Sequence, residues 1–160
     1  MARLDQMDTH LATTLRNIPC PEFTSRPWVE GSPLSRRRIT IISTAGLHRS
    51  DDRPFSIPSS GAPGMAADYR IIPSQCTAND LVMSHVSTNF DRTGFQQDWN
   101  IVFPLDRLRE LAEEGGIGSL ADFHYSFMGA ANPKDLEPSA RRLAPLLRQD
   151  HVDGVLLVPV

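Results

Sequence analysis

Arg38 to Gly46 reads RITIISTAG, a β-branched and almost unbroken apolar run that stops at a glycine. Such a run has no polar face to turn to water, so it predicts a strand covered on both sides. Strands of that kind belong to α/β sheets with helices packed on the two faces.

Other segments extend the pattern. Asp68 to Pro73 (DYRIIP), Leu81 to His85 and Phe123 to Met128 predict further strands, and Gly154 to Val160 (GVLLVPV) predicts a last strand of the buried type. Pro104 to Glu114 sets Leu105, Leu108, Leu111 and Ala112 on one helical stripe, ended by Gly115 and Gly116. Glu137 to Gln149 has helical spacing, and Pro145 is expected to kink it or to open a second segment. Upstream, Leu4, Met7, Leu11, Ala12 and Leu15 recur at helical intervals. Pro19, Pro21, Pro27 and Pro33 then predict an extended arm, for which Phe23, Trp28 and Val29 are the expected anchors. Residues 56–67 read as a Gly/Pro/Ser loop, and residues 86–100 show no clear period.

The expected fold is α/β: a mostly parallel sheet with flanking helices. Residues 1–35 form an N-terminal helix and Pro-rich arm, and residues 36–160 form the domain proper. Ligands and catalytic residues of open α/β sheets lie at the C-terminal ends of the strands. The chain stops at that end of its last strand, so a C-terminal part is expected to be missing.

Sixteen Lys and Arg stand against nineteen Asp and Glu, a net charge of −3. That balance argues against a dedicated nucleic-acid binder. No run approaches the ~18 apolar residues of a membrane helix. Asp5, Asp8, His10 and Arg16 interrupt any signal-peptide core, so the expected location is cytoplasmic. The two cysteines, Cys20 and Cys76, lack CxxC partners and exclude a disulfide scaffold. Phosphate-cradling glycine motifs and the GxSxG elbow are absent. Arg36-Arg37-Arg38 reads as a solvated entrance to the first strand.

Two polar stretches hold the candidate chemistry. The loop Leu47 to Phe55 leaves the edge expected to be functional, and Gly46 permits its sharp exit. His48 and the pair Asp51 and Asp52 suit proton transfer or ligation; they equally suit a solvated loop of Asp–Arg pairs. His85 is either a second group at that edge or a hydrogen-bonded structural histidine, with Asp91 and Arg92 following it. His124 faces away from Phe123 and Tyr125 and reads as core packing. His151 reads as structural and His10 as exposed. The spacing of His48, His85 and His124 fits no compact ligand motif, so no metal is expected, although a zinc hydrolase built on these three is a third class.

A series of segments, taken in order, resembles the selenoprotein B family, the B component of glycine, sarcosine and betaine reductases and its D-proline reductase counterpart. Ser43 to His48 with Asp51 to Phe55 opens the series, and Tyr69 to Pro73 looks like the family's YRxIP strand. Ser84-His85 with Asn89-Phe90-Asp91 resembles its SH…(Y/F)D element. Asn100 to Gly115 (NIVFPLDRLRELAEEG) is similar to its most recognisable block. Gly118 to Ala121, His124 to Gly129 and Val152 to Val160 continue the likeness, which covers residues 35–160.

The resemblance implies an oxidoreductase subunit that reductively cleaves the α C–N bond of glycine, sarcosine, betaine or D-proline. It implies a pyruvoyl group on a partner subunit to hold amine substrates. A selenocysteine, or a cysteine in some members, attacks the α-carbon. A small selenoprotein or a thioredoxin-like dithiol reductant is the implied electron partner, and no cofactor is expected in this chain. A selenolate is a soft nucleophile that needs a proton donor for the leaving amine. The residues' own chemistry makes His48 and His85 the expected catalytic donors. Arg70 or Arg92 would hold the substrate carboxylate, and Thr44, Gly46, Asp51 and Asp91 would line the same edge.

Two departures matter. The family's nucleophile directly follows its LLxPv strand, and here the sequence stops at Val160. Selenocysteine is encoded by UGA, commonly read as stop, so the chain is expected to be the front of a longer selenoprotein, inactive without its nucleophile. Arg92 stands where the resemblance implies a histidine in many relatives, which leaves the substrate open. The alternative is a non-catalytic paralogue that binds a small carboxylate or a reductase partner.

Overall fold

The computed structural model describes residues 4–17, 22, 24–55, 67–87, 91–129, 131 and 133–160. In chain order the elements are α1 (Thr9–Arg16), β1 (Arg38–Ser43), β2 (Leu47–Arg49), β3 (Arg70–Pro73), β4 (Leu81–Met83), α2 (Thr93–Gln97), α3 (Leu105–Glu113), β5 (Ser119–Leu120), β6 (Phe123–Ser126), α4 (Pro133–Gln149) and β7 (Gly154–Val158).

β1 is the spine of the sheet, with Ile39, Thr40, Ile41 and Ser43 all buried. One of its edges carries β5 and then β6, both parallel, in registers Arg38↔Ser119 and Ser43↔Ser126. The other edge carries β7, parallel from Ile39↔Gly154 to Ser43↔Val158. β3 lies antiparallel outside β6, from Arg70↔Ser126 to Pro73↔Phe123. The expected mostly parallel sheet with flanking helices is therefore present. Two expectations need correction. The polar loop after β1 begins with a strand, and Leu81 to Met83 does not join the main sheet: β2 and β4 form their own antiparallel ribbon.

Alternation along β1 serves two cores. Ile39 and Ile41 pack with Leu47, Ile72, Phe103 and Leu105. Ile42 packs with Tyr125, Phe127 and Leu143 beneath α4. Gly115 ends α3 at φ +74°, as the sequence implied. α4 is one helix across both Pro138 and Pro145, where a kink or a new segment at Pro145 was expected. Each proline removes one N–H from the helix ladder, and both lie on its exposed side. Tertiary packing of Leu143, Leu146 and Leu147 supplies the rest.

Two apolar features are left open. β7 is not the covered strand its composition implied: Leu157 is 67% exposed, and Val155 and Leu156 are exposed too. Val158 and Val160, at the end of this segment, pack against the larger core. Trp28 and Val29 stand exposed at 88% and 83%, so they do not anchor the arm. Phe23, Cys20, residues 56–66, Asn89 and Phe90 lie outside the described residues.

Arg38 overturns the reading of a solvated basic run. Its Nε donates to the Asp150 carbonyl (2.7 Å) and to Asp150 Oδ1 (3.1 Å), and Nη2 donates to Asp150 Oδ1 (2.5 Å) and Asp122 Oδ1 (2.8 Å). Nη1 donates to the Leu120 carbonyl. Asp150 Oδ2 accepts the N–H groups of Asp122 (2.8 Å) and Phe123 (3.1 Å). One guanidinium thus joins the start of β1, the β5–β6 bend and the end of α4. Removing one partner of a largely buried pair costs about 3 kcal/mol. Arg38→Met is expected to lower the unfolding free energy in urea by about that amount, and Arg36→Met, on an exposed side chain, by less than about 0.5 kcal/mol.

Candidate functional site

The C-terminal end of β1 runs into Thr44, Ala45 and Gly46. Gly46 has φ +66°, a left-handed conformation that glycine adopts freely. A Cβ there would meet Met128 Cε at 2.7 Å and His85 Cα at 3.1 Å. Glycine thus lets two chains close on the strand end: Gly46 N–H donates to the Phe127 carbonyl (2.8 Å), and Ser84 N–H donates to the Gly46 carbonyl (3.0 Å). This closure brings His85 to the edge.

On the other side of the same edge, Thr44 holds residue 160. Thr44 Oγ1 accepts the Val160 N–H (2.8 Å) and donates to the Val160 carbonyl (3.2 Å). Gly129 N–H donates to the Thr44 carbonyl (2.8 Å), and a Cβ on Gly129 would sit 2.5 Å from the Val160 oxygen. Thr44, Gly46, His85, Gly129 and the Val160 backbone therefore meet at one place. Gly129, Met128 and Ser84 had no role in the sequence reading. Their only signal was membership in the motif segments, because main-chain contacts leave no trace in residue type.

The histidines differ in tautomer. Ser87 N–H donates to His85 Nδ1 (3.2 Å), which puts the His85 proton on Nε2. Burial, and then the Arg92 charge, lower the His85 pKa, so the ring is neutral at pH 7. The Arg92 guanidinium donates to the His85 carbonyl, and its side chain is otherwise exposed. His48 lies on β2 opposite Val82, fully within the fold. Its Nδ1 is 2.7 Å from the Arg49 carbonyl and must donate, which leaves Nε2 as a buried acceptor with no partner.

Other candidates are not part of this meeting point. Arg70 is buried, and its donors go to the carbonyls of Arg53 (2.9 Å), Tyr69 (3.0 Å) and Pro54 (3.5 Å). Its guanidinium lies 4.4 Å over the Phe55 ring, with Asp52 at 3.8 Å. Arg70 pins the segment after β2. Asp51 pairs with half-buried Arg49 (2.6 Å), and Asp91 accepts the Thr93 N–H (2.9 Å) at the start of α2. The block Asn100 to Gly115 is a scaffold: Trp99 Nε1 and Asn100 Nδ2 both donate to Asp106 (2.7 and 3.0 Å), and Arg109 donates to the carbonyls of Ser74 and Cys76 (2.6 and 2.7 Å). Cys76 is buried, and burial with Asp80 nearby pushes its thiol up to about 11, so it is no nucleophile at neutral pH. Among the described residues no group of His, Cys, Asp or Glu gathers as metal ligands, so the zinc-hydrolase class finds no support. A cavity of about 600 Å³ opens at the opposite, N-terminal end of the sheet, beside Ile71, Phe123 and Leu146; its charged rim is the Arg38 cluster, already paired.

His124 is part of the sheet itself. The bend between β5 and β6 leaves Ile41 N–H without a strand carbonyl, and His124 Nδ1 accepts it (3.0 Å). Burial depresses the pKa of this ring to about 4.

This is a mixed α/β domain with a mostly parallel sheet and flanking helices. The model for the glycine/sarcosine/betaine reductase selenoprotein B family matches residues 16–160, and the chain belongs to that family. It is 31% identical to the D-proline reductase subunit gamma of Acetoanaerobium sticklandii, over 74% of this chain and 47% of that protein. It is 30% identical to the glycine reductase complex component B subunit gamma of Symbiobacterium thermophilum, over 78% of this chain and 28% of that protein. It is 28% identical to the betaine reductase complex component B subunit beta of Peptoclostridium acidaminophilum, over the same shares of 78% and 28%. The chain thus spans less than half the length of these relatives. No solved structure matches it. No helix among the described residues is long and apolar enough to cross a membrane.

The depressed pKa of His124 has a signed consequence. The unfolded chain binds a proton near pH 6.5 and the folded chain near 4. The stability is fully present above pH 6.5 and falls as the pH drops towards 4, by about 3 kcal/mol in all. His124→Asn keeps an acceptor for Ile41 N–H without titrating. Urea unfolding from pH 7 to 4 is expected to show this loss in the parent chain and a loss smaller by about 3 kcal/mol in the variant.

Proposed function

We propose that the chain works as a B-component subunit of a reductase that cleaves the α C–N bond of glycine, sarcosine, betaine or D-proline, with its reaction site at the strand edge around Thr44, Gly46 and His85. The observation that carries this reading is the grip of Thr44 on both main-chain groups of Val160, beside His85. The family's nucleophile follows the strand that ends here. A Cβ at Gly46 would strike Met128 and the His85 backbone, and one at Gly129 would strike the Val160 and Thr44 oxygens, so the two glycines let these segments close on the strand end. In the assembled enzyme a selenocysteine or cysteine supplies the soft nucleophile, a pyruvoyl group on a partner subunit holds amine substrates, and a small selenoprotein or thioredoxin-like dithiol supplies the electrons.

The roles of this chain's own residues follow from their surroundings. His85 keeps its proton on Nε2, an atom buried as fully as His48 Nε2, and donates it to an amine that reaches that depth. Its neutrality at pH 7 avoids placing a second cation beside Arg92. Arg92, held among the described residues through the His85 carbonyl, is assigned to the substrate carboxylate, whereas the Arg70 donors point at carbonyls. His48 Nε2 is a buried lone pair left to accept a hydrogen bond. Thr44 and Gly46 shape the edge.

A second reading has one observation in its favour. Among the described residues no accessible thiol stands at the edge, since Cys76 is buried. On that reading the chain binds a small carboxylate or a reductase partner without turning it over.

The test is to isolate the assembled reductase through a tag on this chain and to assay amine release from glycine, sarcosine and betaine and ring opening of D-proline. One of these activities is expected. His85→Ala is expected to lower kcat about 100-fold with little change in KM, and Arg92→Met to raise KM about 10-fold or more. Tight binding of one of these carboxylates with no C–N cleavage would move the chain to the second reading, and full turnover by His85→Ala would remove the assigned donor.

A further inference from the structure

Gly46 commits both of its own main-chain groups, the N–H to the Phe127 carbonyl and the carbonyl to Ser84 N–H. The amides on either side of it go to side chains instead. Ala45 N–H donates to Ser43 Oγ (3.2 Å), and Leu47 N–H donates to Ser126 Oγ (2.8 Å). These two serines are Cα partners at the end of the β1–β6 ladder. Both are fully buried. Strand alternation puts Ser43 on the face of Ile41 and Ser126 on the face of His124. A hydroxyl buried there is costly unless it is bonded. Here that cost is offset by two amides that the exit from β1 takes off the ladder. The Ser43 hydroxyl has a fixed direction: it donates to the Val102 carbonyl (2.8 Å), which leaves its lone pairs for Ala45 N–H. Ser126 O–H points to the Phe127 carbonyl (3.5 Å), the group that also accepts Gly46 N–H.

We propose that Ser43 and Ser126 are positioning residues of the strand-edge site, holding the Gly46 turn closed so that Ser84 and His85 stay against it. The path from the serines to His85 is main chain throughout. Ser84 N–H donates to the Gly46 carbonyl (3.0 Å), and His85 Cα lies 3.1 Å from where a Gly46 Cβ would stand. A shift of Gly46 therefore carries His85 with it. Alanine at position 43 or 126 leaves one buried N–H without its acceptor, and the turn must open towards water to satisfy it. Threonine keeps the acceptor on a β-branched side chain that suits a strand. The site itself is taken from the reductase reading, but the positioning is measurable without turnover.

Histidine-ring NMR and amide hydrogen exchange of the isotope-labelled chain test it. Burial, with the Arg92 charge beside it, holds the His85 pKa low. Ser43→Ala and Ser126→Ala are expected to let it rise towards the ordinary histidine value, and Ser43→Thr and Ser126→Thr to leave it where the parent chain has it. Leu47 and Ser84 N–H are expected to exchange at least ~10-fold faster in Ser126→Ala. His124, on the same strand as Ser126, separates positioning from general loosening: its pKa of about 4 is expected to hold in every variant. In the assembled reductase, Ser126→Ala is expected to lower kcat about 10-fold with little change in KM, and Ser126→Thr to restore it. A His85 pKa unmoved by both alanine variants would overturn the proposal, as would threonine variants that both titrate like the alanine ones. A parallel rise at His124 would also overturn it, because it marks loosening of the whole sheet. The expected His85 shifts in a chain whose parent enzyme cleaves no C–N bond would sink the reductase reading and leave the positioning standing.

Discussion

A guanidinium taken out of water must find partners, and in this chain Arg38 finds them on three separate segments. Asp150 comes from the end of α4, Asp122 from the β5–β6 bend and the Leu120 carbonyl from the end of β5. The Asp153 carboxylate adds a contact to the Arg38 N–H (3.1 Å), which ties in the start of β7. Every neighbour of β1 is therefore registered at one end by a single residue. With the N-terminal ends fixed, the hydrophobic run of β1 sets where the other ends fall. The geometry at Thr44 and Gly46 depends on that registration, a strand's length away.

The three buried histidines divide the work by the partner each finds for Nδ1. His124 accepts a main-chain N–H and serves as a piece of the ladder. His48 donates to a carbonyl and keeps a bare acceptor inside. His85 accepts from Ser87 and keeps its proton on the far nitrogen. One residue type thus supplies a structural acceptor, a buried lone pair and a neutral donor, and the local backbone decides which. Only the last two stand near polar segments that bear on chemistry.

Much of this was readable in the sequence where the signal is local. The apolar run of β1, the stripe of α3 and its glycine stop follow from periodicity, and Gly46 was singled out by its place after the strand. The motif segments led to the right family. What was not readable depended on distant partners. β2 is three residues long and sits among charges, so its pattern is too short to register. Arg38 looked solvated because its acids lie more than eighty residues away. Pro145 looked like a break because helix propensity ignores the packing of Leu143 beneath it. β7 looked covered because composition states what a strand can tolerate, while cover depends on what lies beside it. Of the site residues, Thr44, Gly46 and His85 converge, while Arg70 and Asp51 are held by neighbours that spacing alone could not name.

The grip of Thr44 on Val160 also has a mechanical side. A pull on residue 160 is transmitted through one hydroxyl to β1, the most deeply packed strand, as well as along β7. β1 and β7 are parallel, so the load falls on their whole ladder in shear, with all its bonds resisting together. A partner that tugs at this point while it docks or leaves would meet a rigid anchor.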